Sequence, residues 1–239
     1  MEENRLTVAY ATDRNLYPYL PTVINSLLVH NPNAQVYVFA EDDKIDTLTH
    51  PNIVIKNLNI FKDYLSSKSP QAKYYLPSPT FTRLWMEEAI PESKVLWLDV
   101  DTIVDGDLTD LWNTDMGDNI VAGVPDIKWW IYPKITKKYI NAGVLLMNLD
   151  AWRAMNFTSK AKEMLNKEYW KYGDQDIINK LCNERILYLN PRYNHGRFVC
   201  KDELEYPIKI YHWPYKPKAW DLKEKRDREL WNGYYKERI

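Results

Sequence analysis

The chain has 239 residues, 45% hydrophobic and 27% charged, enough for one large domain or two small ones with a full core. A formal net charge of −1 provides no overall field for nucleic acid, which excludes that class of partner. Met1 to Arg5 has neither a basic nor an apolar leader pattern, so no signal peptide is expected. Asn15 to Ala40 carries no Asp, Glu, Lys or Arg but is broken by Pro18, Pro21 and Pro32, against a membrane span.

In chain order, Thr7 to Ala11 reads as a first strand and Tyr19 to His30 as a helix, its stripe made by Leu20, Val23, Ile24, Leu27 and Leu28. Val36 to Ala40 and Ile53 to Ile55 read as further buried strands. Residues 61–79, rich in Pro and Ser, read as an irregular loop, and Thr80 to Ala89 as a helix that Pro91 ends. Next comes the apolar run Val95-Leu96-Trp97-Leu98, which leads into Asp99-Val100-Asp101. A short helix is expected at Leu108 to Trp112, then strands at Ile120 to Val124 and Val144 to Met147. Alternating strands and helices imply an α/β fold with a mainly parallel central sheet and right-handed crossovers. No repeat, low-complexity stretch or composition shift marks a second domain.

Chemistry concentrates at strand ends. If the Val95 strand stays extended, Asp99 and Asp101 point the same way where it ends, and strand ends of open α/β sheets are where ligands bind. Two converging carboxylates call for a divalent metal, a proton or a basic partner; the plainer reading is two turn-capping aspartates. Asn141-Ala142-Gly143 precedes the Val144 strand. Asp174-Gln175-Asp176 opens an apolar-periodic helix, where helix capping is the simple explanation. His212 follows Ile208 to Tyr211, as a structural hydrogen bonder or a ligand. Cys182 and Cys200 lack metal spacing and fit a reducing compartment. Ten Trp and 18 Tyr against seven Gly give rings with polar tips, suited to amphipathic ligands such as sugars and to ordinary cores alike.

From about Val8 to Trp220 these clusters stand in the order found in the retaining glycosyltransferases of family eight, which the chain resembles. The resemblance rests on Ala11-Thr12-Asp13-Arg14-Asn15, Arg83, Leu98-Asp99-Val100-Asp101, Asn141 through Leu146, Asp174-Gln175-Asp176, and His212 through Trp220. It implies a single GT-A (Rossmann-like) domain over residues 1–220, a UDP-sugar donor, a carbohydrate or other hydroxyl acceptor, and manganese. Position by position, Asp99, Asp101 and His212 resemble the metal ligands. Two carboxylates and an imidazole suit manganese at least as well as magnesium. Asp13 and Asn15, beside Ala11, match positions that hold the nucleoside. Arg83, Asn141, Ala142, Gly143, Asp174 and Gln175 match those around the donor sugar, with Val100 between the two metal-binding aspartates. Asp126 matches a position near the acceptor, and Lys218 one that contacts the diphosphate. Gln175 lies where the family approaches the anomeric carbon; a neutral amide is a poor nucleophile, so same-face attack is expected rather than a covalent intermediate. The family pattern has glycine where Tyr215 stands and proline where Ala219 stands, so a different diphosphate loop is expected.

Two other classes compete. Asp99-Val100-Asp101-Thr102 approaches the phosphatase motif of the haloacid-dehalogenase type, but it follows at least three strands, and Gly173-Asp174-Gln175-Asp176 has the wrong acidic spacing. A non-catalytic nucleotide-sugar or glycan binder on the same fold is the other. Trp129 and Trp130 invite the expectation that one ring stacks on an acceptor sugar. Residues 221–239 form a basic, aromatic tail: from Lys216 to Ile239 eight Lys or Arg stand against five Asp or Glu. That composition admits contact with an anionic membrane surface. Opposite charges at helical spacing favour a tail packed on the domain of a cytoplasmic enzyme.

Overall fold

The computed structural model describes residues 5–61, 63, 69–70, 79–126, 139–196, 206–221 and 224–239. Its strands are β1 (Thr7–Ala11), β2 (Gln35–Ala40), β3 (Ile53–Asn57), β4 (Lys94–Leu98), β5 (Thr102–Val104), β6 (Val121–Pro125), β7 (Ile140–Asn148), β8 (Ile186–Tyr188) and β9 (Ile210–His212). The helices are α1 (Leu20–His30), α2 (Met86–Ala89), α3 (Thr109–Trp112), α4 (Leu149–Met155), α5 (Phe157–Lys167), α6 (Asp174–Cys182) and α7 (Lys225–Tyr234). Seven strands form one sheet in the order β3-β2-β1-β4-β7-β6-β8, and β5 and β9 form a separate pair. The large sheet is mainly parallel, as expected, with β7 antiparallel to both β4 and β6.

Strand alternation explains why the sheet is coated on both faces. Successive side chains of β4 go to opposite sides: Leu96 and Leu98 join one buried cluster, Val95 and Trp97 the other. Val8 and Tyr10 of β1 divide from Ala9 in the same manner. On the first face lies the stripe of α1, with Leu20, Val23, Ile24 and Leu27 fully buried. On the second lie Trp152 of α4, Phe157 and Leu165 of α5, and Ile177 and Ile178 of α6. Buried on both sides, the central strands must read as continuous apolar runs, which is why their existence was legible.

Boundaries differ where local propensity is overridden. Thr80 to Ala89 is a 3-10 turn over Pro79–Trp85 with a short α2, not one helix. Strand β7 begins at Ile140, so Asn141, Ala142 and Gly143 lie inside a strand and not before it. Strand β4 ends at Leu98, leaving Asp99, Val100 and Asp101 in the turn to β5. Trp129, Trp130, Cys200 and most of residues 61–79 lie outside the described residues.

Helix α7 lies against α1. Trp231 meets Tyr19 and Trp220 edge-on, at ring-centroid distances of 6.1 and 5.7 Å, and Tyr19 stacks on Trp220 at 4.2 Å. Asn25 Nδ2 donates to the Tyr234 carbonyl at 2.9 Å, and the Ile239 amide to Thr47 O at 2.8 Å. Among the described residues no helix is long and apolar enough to cross a membrane. Because Trp231 is buried, Trp231→Ala should cost about 3 kcal/mol of unfolding free energy in a urea titration. A loss below about 0.5 kcal/mol would show that α7 contributes little to the fold.

Candidate active site

In the large sheet β1 leads outward through β2 to β3, whereas β4 lies on its other side, so the strand order reverses between β1 and β4. The carboxyl ends of two such neighbours open a crevice where ligands bind. Asp13 follows β1 and Asp99 follows β4 on that same edge, since the two strands are parallel with Ala9 opposite Trp97. Asp13 Oδ1 accepts the Asn15 amide at 3.0 Å and so caps the 3-10 turn after β1. Ala11, Asp13 and Asn15 therefore form one corner of the crevice.

The opposite corner holds Asp99, Asp101 and His212. The expected route, alternation along an extended strand, is not how the aspartates meet; the turn after β4 brings them together. Asp99 N–H donates to Gly143 O at 2.8 Å, Val100 is buried, and Trp213 N–H donates to Asp101 O at 2.9 Å. Pairing of β5 with β9 sets His212 opposite Thr102, one residue beyond Asp101. His212 Nε2 then lies 3.3 Å from Asp101 Oδ1 and 3.9 Å from Asp99 Oδ2.

The other oxygen of each carboxylate is already committed. Asp99 Oδ1 accepts from Arg83 Nη2 at 2.8 Å and Trp97 Nε1 at 2.9 Å. Asp101 Oδ2 lies 2.5 Å from Lys218 Nζ, which also donates to the Trp213 carbonyl at 2.7 Å. His212 Nδ1 pairs with Asn194 Oδ1 at 2.8 Å, while its Nε2 is buried without a hydrogen bond. Asp99 Oδ2, Asp101 Oδ1 and His212 Nε2 thus face one another, and one ligand atom from each lies within 4.8 Å of the others. An orphaned buried nitrogen turned toward two carboxylate oxygens is a donor set that fits a divalent cation.

Space as well as charge fixes the imidazole. A Cβ built on Gly143 would stand 2.2 Å from His212 Cε1 and 2.7 Å from Nε2, so the ring lies directly on the β7 backbone. Gly143 is needed for that close approach.

Arg83 ties the crevice floor together. It is buried, with Nε 2.8 Å from Asp174 Oδ2, Nη1 donating to the Ala142 carbonyl, and its guanidinium 4.8 Å over the Trp97 ring. Burial works against its charge, but Asp174 and Asp99 raise its pKa overall. Asp174, in the first turn of α6, turns its carboxylate to Arg83, and the N-cap is Gly173 with φ +54°. Burial outweighs Arg83 there and pushes the Asp174 carboxyl up to about 6. For Asp101 burial also acts upward, yet the positive charges of a protonated His212 and of Lys218 prevail and hold it at about 2.

A chain of amides crosses from α6 to His212. Gln175 Oε1 accepts the Ala142 amide at 2.9 Å, and its Nε2 donates to Asp126 Oδ2 at 3.1 Å. Asn141 Nδ2 lies 3.3 Å from Gln175 Oε1, and Asn194 Nδ2 donates to Asn141 Oδ1 at 2.9 Å. The structure therefore brings Arg83, Asp126, Asn141, Gln175 and Asp174 into the network that holds Asp99, Asp101 and His212. Asn194 was not foreseen: it sits in the Asn190-Pro191 turn, where nothing local distinguishes a buried functional amide from a turn residue. Lys218 was expected at a diphosphate and here neutralises Asp101. Among the described non-glycine residues only Asn156 and Asn183 take positive φ, so Tyr215 closes its turn without the glycine conformation.

This fold, with its crevice and acidic cluster, is that of a glycosyltransferase of the GT-A type. The model of glycosyl transferase family 8 matches residues 7–224, and the chain belongs to that family. The phosphatase alternative falls with that assignment. A putative glycosyltransferase from Haemophilus influenzae is 28% identical over 91% of this chain and 74% of its own length. Glycosyltransferase GlyE from Streptococcus pneumoniae is 27% identical over 98% of this chain, which spans only 62% of GlyE. A lipopolysaccharide glucosyltransferase, WaaO, from Escherichia coli is 30% identical over 79% of this chain and 62% of its own. Among solved structures, a galactosyltransferase, LgtC, in complex with donor and acceptor sugar analogs superposes with a TM-score of 0.75 at 26% identity, covering 95% of this chain and 96% of that one.

Two outcomes follow from the geometry. Gly143→Ala should cost about 2 kcal/mol, because neither the ring nor the strand can yield without displacing the other. A chemical-denaturation midpoint equal to that of the wild type would contradict the close approach. For Asp174, the folded pKa of about 6 stands above its ordinary 3.8, so its contribution to stability is full below about pH 4 and is lost as pH rises through about 6. The unfolding free energy of the wild type relative to Asp174→Asn should accordingly fall across that window; a rise would reverse the assigned cause.

Proposed function

We propose that the chain transfers a hexose from a UDP-sugar to a hydroxyl of a glycan or similar acceptor, with retention at the anomeric carbon and dependence on manganese. The observation that carries this reading is the orphaned Nε2 of His212, aimed with Asp99 Oδ2 and Asp101 Oδ1 at one point on the crevice edge. The three residues fit a divalent cation, and two oxygens with one nitrogen suit manganese at least as well as magnesium. When bound, that ion would supply Lewis-acid stabilisation of charge on the departing diphosphate. The likeness to a galactosyltransferase crystallised with donor and acceptor sugar analogs supports the same two classes of ligand here.

The remaining roles belong to the chain. Asp13 and Asn15 border the nucleoside end, beyond β1. Lys218, held between Asp101 and the Trp213 carbonyl, offers the diphosphate an ammonium at the edge of the cluster. Arg83 and Asn141 shape the donor-sugar floor. Gln175 is held at both ends of its amide, by the Ala142 N–H and by Asp126, and so positions rather than attacks. Asp174 is clamped by Arg83 and Asp126 accepts from Gln175, so neither carboxylate is presented as a covalent nucleophile. These contacts favour attack by the acceptor hydroxyl on the face the diphosphate leaves, with the departing phosphate taking its proton.

The test pairs calorimetric titration of UDP in manganese with an assay of UDP release from UDP-hexoses. Asp101→Ala should lower turnover by at least about a hundredfold, since charge on the leaving group goes uncompensated. Turnover that survives both chelation and this substitution would refute the metal-dependent reading. UDP binding without release, across donors and acceptors, would favour the non-catalytic binder.

A further inference from the structure

The proton position on His212 can be deduced from hydrogen bonds that begin at a group of known polarity. The backbone N–H of Gly143 donates to the Asn141 side chain at 2.9 Å, so the atom that receives it is the amide oxygen. Asn194 also meets that oxygen at 2.9 Å, and only its NH2 end can donate there. The Asn194 oxygen is thereby turned to His212 Nδ1, 2.8 Å away. A carbonyl oxygen only accepts, so Nδ1 bears the hydrogen and, in the neutral ring, Nε2 bears the lone pair.

We propose that Asn194 is a positioning residue that holds His212 in the Nδ1–H tautomer and so keeps Nε2 open to the divalent cation. The inference rests on the metal-binding reading above. Asn194 does the work of an outer ligand: it is buried, lies outside the ligand set, and acts only through the ring. Its importance follows from what faces the other nitrogen. Asp101 Oδ1, 3.3 Å from Nε2, is a competing acceptor for the ring's single proton. Without Asn194 that proton moves to Nε2, donates to Asp101, and blocks the nitrogen from a metal. Rotation of the ring cannot compensate, because its edge rests on Gly143. Asn141 belongs to the same device, since its fixed orientation denies Asn194 the flipped arrangement.

Two measurements decide this. Manganese alone is titrated into the metal-free full chain, with free Mn2+ read by electron paramagnetic resonance. Asn194→Leu should bind about 10–100-fold more weakly than the wild type while keeping its circular dichroism and cooperative unfolding. Affinity within about twofold of the wild type would overturn the proposal. The second measurement needs neither metal nor activity, and stands if Asn194→Leu does not fold. In 15N-histidine-labelled wild type, with His212 assigned against His212→Gln, the spectrum of the neutral ring should show the hydrogen on Nδ1. A hydrogen on Nε2 would overturn the proposal. If the wild type binds no Mn2+, the metal reading itself fails and this inference with it. If the wild type binds Mn2+ and the Leu variant binds equally well, only the role of Asn194 fails.

Discussion

With the imidazole neutral, two carboxylates and its lone pair, gathered at one point, repel one another, and the rest of the crevice is organised around holding them there. Each is restrained from behind. Arg83 and Trp97 grip one oxygen of Asp99, Lys218 grips one of Asp101, and Asn194 grips the far nitrogen of His212. The unrestrained atoms are left to converge. A cation relieves that repulsion, so the affinity of such a site comes from an arrangement that the folded chain enforces at its own cost.

Arg83 carries much of that enforcement. A buried guanidinium is tolerable only when its donors are matched, and here Asp99, Asp174 and the Ala142 carbonyl accept from it while Trp97 lies under its plane. One side chain therefore joins the 3-10 turn before α2, the end of β4, strand β7 and the first turn of α6. The carboxyl pKa values of Asp174 and Asp101 are shifted in opposite directions. Burial acts upward on both, and only Asp101 has two basic partners near enough to overcome it.

Strand β7 links this floor to the cluster of Asp99, Asp101 and His212. It runs antiparallel between β4 and β6, and Asn141, Ala142 and Gly143 lie within it. Their backbone groups stay in use: Ala142 N–H binds Gln175, Gly143 N–H fixes Asn141, and Gly143 O accepts from Asp99. A segment with side chains alone to offer could not orient three neighbours at once. The absence of a side chain at Gly143 is what admits the imidazole.

Much of the architecture was legible in local pattern. Apolar runs at Val8 to Ala11, Val36 to Ala40 and Val95 to Leu98 mark strands buried on both faces, and the stripe from Leu20 to Leu28 marks α1, because burial demands those residues wherever the chain later folds. Residue chemistry likewise singled out Asp99, Asp101, His212 and Asp174-Gln175 as places where polar groups interrupt such runs. Position in the sequence said nothing about the partners. That Asp174 pairs with Arg83, that the aspartates meet through a turn, and that β7 starts early enough to include Asn141 all depend on contacts between residues far apart in the chain. Asn194 is the clearest case: in the sequence it is one polar residue after a proline turn. Its meaning arises only when β9 pairs with β5 and sets His212 beside it, because the direction of a hydrogen bond is decided by the group it meets and not by the residue that makes it.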